Sequence, residues 1–140
     1  MNCEKCGNFY TNDVMDHFQN PRNAGYLIDA DGEGKTGDPE CGDHIVISIK
    51  VRNKKIEDIR FLVYGCAAAI ASTSITTELA KGKPLDEALK ITDEDVIEAL
   101  GGLPDNKLHC SLLGPTALKG AIQNYYDRIN DYKKCLIYQE

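Results

Sequence analysis

The sequence has no tryptophan, few phenylalanines, no excess of basic residues and no long apolar run. Its 140 residues carry 16 lysines and arginines against 22 aspartates and glutamates, which gives a formal net charge of −6. Nucleic-acid-binding proteins usually present a basic stripe, so this balance argues against a nucleic-acid partner. No apolar stretch approaches the ~20 residues of a membrane-spanning helix. The start, MNCEKCGNFYTND, lacks the apolar core of a secretory signal, so we expect neither export nor a membrane anchor.

Six cysteines are spread along the chain. Without an export signal we expect them in a reducing cytoplasm, where spaced cysteines bind metal or react more often than they form disulfides. Cys3 and Cys6 form a Cys-x-x-Cys in a polar stretch. A structural zinc site of that type needs a second pair, and only Cys135 remains to supply it. We interpret these three cysteines as exposed tail thiols.

The alternation of apolar and polar residues predicts an antiparallel hairpin. Its strands are residues 44–51 and 56–65, which are joined by the polar turn RNKK. We place the hairpin in one domain, residues 10–134, between an N-terminal tail of residues 1–9 and a C-terminal tail of residues 135–140. No repeat and no linker divides that domain.

Helices are predicted where apolar residues recur at helical spacing between a capping residue and a stop signal. They run from about Thr11 to Pro21, Ala67 to Gly82, Pro84 to Leu89, Thr92 to Leu100 and Pro115 to Lys133. GYLI (25–28) is expected to be an edge strand, and residues 29–43, rich in Gly and Asp, are expected to be a loop. The expected fold is α+β: a small antiparallel sheet of about three strands packed against helices, with a long C-terminal helix.

Three cysteines lie at junctions between predicted elements. Cys41 comes shortly before the first hairpin strand, two residues from Asp43, and Cys66 follows the second strand. Cys110 follows His109 just before the last helix. The start of the first strand of an antiparallel hairpin lies beside the end of the second, so the first two cysteines and the aspartate should meet at one end of the sheet. The loop that precedes Cys110 can place this residue at the same end of the sheet.

Three thiols, a carboxylate and an imidazole in one place suit a metal site or a nucleophile. The position of Cys66 at a helix N-terminus favours its thiolate form. The donors exceed the four ligands of a tetrahedral zinc. They also suit an iron–sulfur cluster, which is usually held by four thiolates and sometimes by histidine in place of cysteine. Buried cysteines that pack as small apolar residues are the alternative. We read His44 as a strand-end side chain rather than a further ligand.

Five segments of this sequence, in this order, resemble the IscU/NifU-type iron–sulfur cluster scaffold proteins. They are DHFQNPRNAG (16–25), ECGD (40–43), YGCAAAIASTS (64–74), KGKPLDEAL (81–89) and KLHCS (107–111). The similarity extends from about Tyr10 to Lys133, nearly the whole chain, and the three cysteine motifs are its most specific part. It implies an IscU/SufE-like fold for the domain.

The resemblance also implies which residues form the site. Cys41, Cys66 and Cys110 would be the thiols that hold the cluster, and either Asp43 or His109 would be the fourth ligand. An aspartate ligand would keep the cluster labile.

In this family a cysteine desulfurase delivers sulfur as a persulfide. The resemblance implies that Cys110 accepts this sulfur and that Lys107 and His109 stabilise its thiolate.

The implied function is that of a scaffold without turnover of its own. It would assemble a [2Fe–2S] cluster from iron and sulfur, often in a homodimer around the cluster, and pass it to ferredoxin and other apo-acceptor proteins. LPDNK (103–107) has lost the middle of the family's Leu-Pro-Pro-Val-Lys segment, so delivery by the heat-shock chaperone pair is not expected.

Two other functions use the same residues. A SufU-type zinc-dependent sulfurtransferase has the same three cysteines and aspartate, but it carries an insertion between the second and third cysteine motifs that is missing here. A structural zinc module does not explain ligands scattered over several junctions. Zinc can nevertheless occupy the site of a scaffold.

Overall fold

The computed structural model describes residues 10–38 and 42–138. Its elements are α1 (Asn12–Gln19), β1 (Gly32–Asp38), β2 (Asp43–Arg52), β3 (Lys55–Tyr64), α2 (Ala67–Ala80), α3 (Leu85–Ala88), α4 (Asp93–Ala99), a 3₁₀ helix (Asp105–Leu112) and α5 (Leu113–Tyr138). Cys3, Cys6 and Cys41 lie outside the described residues, and so does the side chain of Cys135. None of the described helices is both long and apolar enough to cross a bilayer.

The predicted hairpin is confirmed as the centre of the sheet. β2 and β3 pair antiparallel around Asn53 and Lys54, whose φ angles are 55° and 62°. Positive φ at both residues of a two-residue turn is the geometry that matches the right-handed twist of the strands. Alternate residues of the two strands are fully buried on one face, namely Ile45, Ile47, Ile49 and Ile59. The α+β architecture, with a three-stranded antiparallel sheet and a long C-terminal helix, is therefore as predicted.

The loop predicted for residues 29–43 is wrong in its central part, because β1 occupies Gly32–Asp38. β1 pairs antiparallel with β2 and forms one edge of the sheet, so the sheet order is β1-β2-β3. GYLI is not a strand; the backbone N–H of Gly25 donates to the Phe61 carbonyl oxygen and that of Leu27 to the Ser48 hydroxyl. The glycines of β1 serve close packing rather than turns. A Cβ on Gly32 or Gly34 would overlap the backbone of α5, which lies directly on this strand.

The predicted helices are present, with one addition at the site. The 3₁₀ helix Asp105–Leu112 replaces the loop expected before the last helix, and α5 begins at Leu113 rather than Pro115. Proline is tolerated in a first helical turn because the backbone N–H that it lacks has no partner there. Cys110 is therefore held in a helical turn.

α2 crosses the middle of the molecule and carries Cys66 at its N-terminal cap. Beside buried alanines it carries five small hydroxyl side chains that are fully buried, namely Ser72, Thr73, Ser74, Thr76 and Thr77. Thr73 and Thr76 donate to the carbonyl oxygens four residues earlier, at 2.8 and 2.7 Å, so their polar groups are satisfied within the helix. Small side chains let α1, the sheet and α5 all approach this helix, and that packing fixes the position of the cysteine.

His17 on α1 gives the fold a pH dependence. It is 7% exposed, and its Nδ1 lies 2.8 Å from the Ser74 hydroxyl. Burial, and then the charge of Arg22, lower the pKa of His17 below its ordinary value of 6.5. The imidazole of His17 thus binds a proton less tightly in the folded state than in the unfolded state. The contribution of neutral His17 to the stability of the fold is therefore complete above pH 6.5 and declines as the pH falls toward the folded-state pKa.

We therefore expect the free energy of unfolding of the metal-free chain to fall on acidification below pH 6.5, by at most about 1.4 kcal/mol per pH unit for this one proton. Urea titrations at pH 7.5 and 5.5 measure it. His17→Gln should flatten this step, while His44→Gln, a change at an exposed strand position, should keep it. If the unfolding free energy of His17→Gln changed with pH as much as that of the parent, His17 would not be the source of this pH dependence.

Candidate metal centre

The structure brings four of the five predicted ligands to one end of the sheet. Asp43 is the first residue of β2, Cys66 caps α2, and His109 and Cys110 lie in the 3₁₀ helix. Ligand atoms of Asp43, His109 and Cys110 lie within 4.8 Å of one another. The Sγ atoms of Cys66 and Cys110 are 3.8 Å apart. Cys41 lies outside the described residues.

Asp43 is a buried carboxylate with one oxygen anchored and the other unsatisfied. The residue is 4% exposed. Its Oδ1 accepts a hydrogen bond from the backbone N–H of Cys66 at 3.2 Å. Its Oδ2 is buried without a hydrogen-bond partner among the described residues. A buried charged oxygen is costly unless it is paired or bound to a cation. This oxygen therefore marks a place where a metal ion fits.

The two thiols share one proton across their contact. The pKa of Cys66 is lowered to about 6, chiefly by its contact with the Cys110 thiol and to a smaller extent by the nearby backbone N–H of Ala69, while burial works against both. The same contact, burial and the negative charge on Cys66 raise the pKa of Cys110. The first thiolate therefore forms on Cys66. Cys110 loses its proton less readily, and a nearby positive charge such as that of Lys107 favours its thiolate.

Two further groups act on this pair. The Nε2 of His109 lies 3.6 Å from the sulfur of Cys110. The positive charge of Lys107 favours both thiolates, although the contact between the sulfurs and their burial have larger effects on each pKa. The phenol of Tyr10 lies in the same electrostatic environment, since its pKa is raised by burial and then by the charge of Cys66. Nothing in the sequence pattern marked Tyr10 as a neighbour of the site.

Gly65 is the site residue that sequence reasoning missed. A Cβ at this position would overlap Oδ1 of Asp43 and lie 3.0 Å from its Cγ. The glycine leaves room for the carboxylate to rest against the peptide between Gly65 and Cys66. The available signal was its position between the end of a strand and a predicted ligand, but glycine there also fits a plain chain reversal.

Gly65→Ala is expected to displace the Asp43 carboxylate and to weaken metal binding by about ten- to a hundredfold, the usual cost of losing a group that orients a ligand. A Co²⁺ titration followed by visible absorption measures it. Gly120→Ala is the matched control, since its Cβ would make an ordinary 3.5 Å contact far from the site. Unchanged Co²⁺ affinity in a folded Gly65→Ala chain would show that Asp43 does not depend on this glycine.

These features define a class of protein: an α+β domain with a centre for a metal ion or a metal–sulfur cluster, built from thiols, a carboxylate and an imidazole at the end of its sheet. The family follows from the sequence. Residues 9–132 match the model of the NifU-like N terminal domain.

Two curated relatives point to the same family. The chain is 58% identical over 117 residues to iron-sulfur cluster assembly scaffold protein IscU 1 of Archaeoglobus fulgidus, and the alignment covers 84% of this chain and 76% of that protein. It is 51% identical over 118 residues to iron-sulfur cluster assembly scaffold protein IscU of Aquifex aeolicus, over 83% of this chain and 75% of the relative. The chain therefore belongs to the IscU/NifU family of iron–sulfur cluster assembly scaffold proteins.

Solved structures support the fold. A protein described as a SUF-system scaffold from Fervidobacterium islandicum AW-1 superimposes with a TM-score of 0.67 at 24% identity, over 81% of this chain and 96% of that one. The N-terminal part of a NifU-like protein from Brucella abortus gives a TM-score of 0.72 at 18% identity, over 84% of this chain and 94% of that one. At such identities the likeness shows the arrangement of strands and helices alone.

Proposed function

We propose that this chain assembles a labile [2Fe–2S] cluster from iron and desulfurase-derived sulfur and then passes it to acceptor proteins. The observation that carries the proposal is the buried, unpartnered Oδ2 of Asp43, within 4.8 Å of donor atoms of His109 and Cys110 in a chain of this family. The cluster is cargo and not a resident cofactor.

The donor set suits a cluster that must leave. Thiolates of Cys41, Cys66 and Cys110 are the preferred ligands of iron in iron–sulfur clusters. A carboxylate is a harder and weaker partner for such iron than a fourth thiolate would be. Asp43 is preferred to His109 as the fourth ligand, because the backbone already anchors one of its oxygens and leaves the other unpaired.

Cys110 is the proposed sulfur acceptor. Its thiolate attacks the outer sulfur of the desulfurase persulfide, and the desulfurase cysteine leaves as a thiolate, so the persulfide sulfur changes carrier without a net redox change. Cys110 must first lose its proton, and His109, whose Nε2 lies 3.6 Å from the Cys110 sulfur, is the nearest nitrogen base to it among the described residues. Lys107 and His109 stabilise the resulting anion.

The proposed partners follow from this sequence of steps. A cysteine desulfurase supplies sulfur, and ferredoxin and other apo-acceptor proteins receive the cluster. A second copy of the chain can share the cluster at a homodimer interface. The chaperone pair that docks on the Leu-Pro-Pro-Val-Lys segment is not proposed as a partner, since LPDNK (103–107) departs from that segment.

A zinc-dependent sulfurtransferase of the SufU type is the second candidate. The close grouping of three donor atoms in Asp43, His109 and Cys110 would suit a single tetrahedral ion. Against it, the chain between the second and third cysteine motifs is occupied by α2, α3, α4 and short connections, without an inserted segment. The scaffold function is therefore preferred.

Anaerobic reconstitution with iron, cysteine and a cysteine desulfurase separates the two candidates. The scaffold predicts the absorption and Mössbauer spectra of a [2Fe–2S] cluster. The sulfurtransferase predicts no cluster, and a zinc-loaded chain that accelerates the desulfurase while taking a persulfide. Zinc in the purified protein would not by itself distinguish the scaffold from the sulfurtransferase, because the same donors bind zinc.

Asp43→Ala is expected to slow cluster transfer to an apo-acceptor by about tenfold, because the weak ligand that lets the cluster leave is removed. The transfer rate from reconstituted protein measures this. Asp105→Ala, which removes an exposed charge from the same 3₁₀ helix as Cys110, should transfer like the parent. Equal or faster transfer from Asp43→Ala would refute the role given to this carboxylate.

A further inference from the structure

The closest pair of sulfurs among the described residues is that of Cys66 and Cys110, 3.8 Å apart. Cys110 is fully buried, while Cys66 is partly exposed. They come from different elements, the N-terminal cap of α2 and the 3₁₀ helix, which pack against each other. A disulfide needs its sulfurs about 2.05 Å apart. The two sulfurs therefore need to approach each other by less than about 2 Å to form the bond.

From this contact we infer that Cys66 is the resolving thiol of the scaffold: it releases sulfide from a persulfide on Cys110 and forms a Cys66–Cys110 disulfide. The inference rests on the proposed function, in which Cys110 accepts the sulfur. It gives Cys66 a chemical role before it becomes a cluster ligand.

The step is a thiol–disulfide exchange on a persulfide. The Cys66 thiolate attacks the Sγ of Cys110, and a new bond forms between the two cysteine sulfurs. The bond between the Cys110 sulfur and the outer sulfur breaks, and the outer sulfur leaves with that electron pair as HS⁻. Cys66 is oxidised from thiolate to disulfide, and the outer sulfur is reduced to sulfide. A dithiol reductant of the thioredoxin class then restores both thiols.

The geometry favours attack on the inner sulfur. Cys110 Sγ already lies 3.8 Å from the sulfur of Cys66, so attack on this atom needs only a short approach of the two side chains. The Nε2 of His109, 3.6 Å from Cys110 Sγ, lies where it can contact the departing sulfur. Sulfide is thus produced beside the carboxylate oxygen and the thiols that are proposed to receive iron, and no electron donor is required until the disulfide is reduced.

The sequence makes the product easy to identify. Complete tryptic cleavage places the six cysteines on six different peptides: residues 1–5, 6–22, 36–50, 61–81, 108–119 and 135–140. A Cys66–Cys110 disulfide joins peptide 61–81 to peptide 108–119, and a Cys41–Cys110 disulfide would join peptide 36–50 to 108–119 instead.

The test uses the full chain, metal-free, with Cys3, Cys6 and Cys135 replaced by serine so that tail thiols cannot take part. A cysteine desulfurase charged with persulfide and freed of cysteine by gel filtration supplies the sulfur, with no other thiol present. We expect sulfide release stoichiometric with linked 61–81/108–119. With Cys66→Ser added, the persulfide should remain on 108–119 and sulfide release should be at least about tenfold slower.

Three results would overturn the inference. The first is sulfide release from the Cys66→Ser chain as fast as from the parent chain that retains Cys66. The second is a disulfide between peptides 36–50 and 108–119, and the third is a persulfide that persists on peptide 108–119 of the parent chain. Absence of sulfur from 108–119 in both chains would instead contradict the acceptor role of Cys110, and the inference would fall with it. Oxidation of the metal-free parent by diamide tests the geometry apart from any sulfur transfer. Linked 61–81/108–119 should be the main product, and a different main pair would refute the inference.

Discussion

Cys110→Ser is expected to abolish sulfur loading of this chain by a cysteine desulfurase, with a loss of more than about a hundredfold. A hydroxyl group is not a competent nucleophile toward a persulfide at neutral pH unless a base activates it, and a serine cannot carry sulfur as a persulfide. The change replaces one buried atom without adding volume, so the fold should persist. Mass spectrometry of tryptic peptide 108–119, which carries residue 110, measures the gain of one sulfur atom.

The matched control for this variant is Cys135→Ser, which removes a thiol outside the proposed site and should load like the parent. The competing acceptor is Cys66, whose lowered pKa of about 6 makes it the first thiolate of the pair. If Cys110→Ser still loads at the parent rate, with the sulfur on peptide 61–81, Cys66 is the acceptor and the assignment of Cys110 is wrong.

Gly34→Ala is expected to cost at least about 3 kcal/mol of unfolding free energy, the upper part of the range for overpacking. The added Cβ would overlap the carbonyl oxygen of Ala117 and the backbone nitrogen of Ala121. Both are backbone atoms of α5, so no side chain can rotate out of the way. The helix would have to move off β1, and the packing of its buried residues Leu118 and Ile122 would be lost.

Urea unfolding of the metal-free chain measures this loss. Gly120→Ala tests the same interface from the other side, where the added Cβ would lie 3.5 Å from the Cα of Gly34, an ordinary contact. Because alanine favours a helix over glycine by up to about 1 kcal/mol, this control should be neutral or stabilising. A Gly34→Ala chain as stable as the control would show that β1 and α5 do not pack as closely as the structure has them.

The difference between β1 and the rest of the fold shows what a local pattern can predict. The strands of the hairpin and the helices follow apolar periodicity, which is local, and they formed where it predicts. The glycines at 32 and 34 contributed to the prediction of a loop over residues 29–43, whereas they make room for a helix more than 80 residues later in the chain. Local composition does not distinguish these two uses of glycine, because the second depends on a contact distant in sequence.

The candidate site likewise has one part that the sequence pattern predicts and another that it does not. Antiparallel pairing predicts that Asp43 and Cys66 meet, since each lies next to a strand end. The anchoring of Asp43 over Gly65 and the 3.8 Å approach of Cys66 to Cys110 depend on where the 3₁₀ helix lies. That helix was expected to be a loop, so neither detail could be derived from the sequence pattern.

Transfer of the cluster is the most direct test of the central claim, that this chain builds an iron–sulfur cluster in order to give it away. The chain is reconstituted anaerobically with ⁵⁷Fe and desulfurase-derived sulfur, separated from the reagents, and mixed with an apo-ferredoxin. Mössbauer spectra of the two proteins after separation should show the [2Fe–2S] signal leaving the chain and appearing in the ferredoxin. A cluster that stays on the chain, or a chain that forms none, would contradict the account.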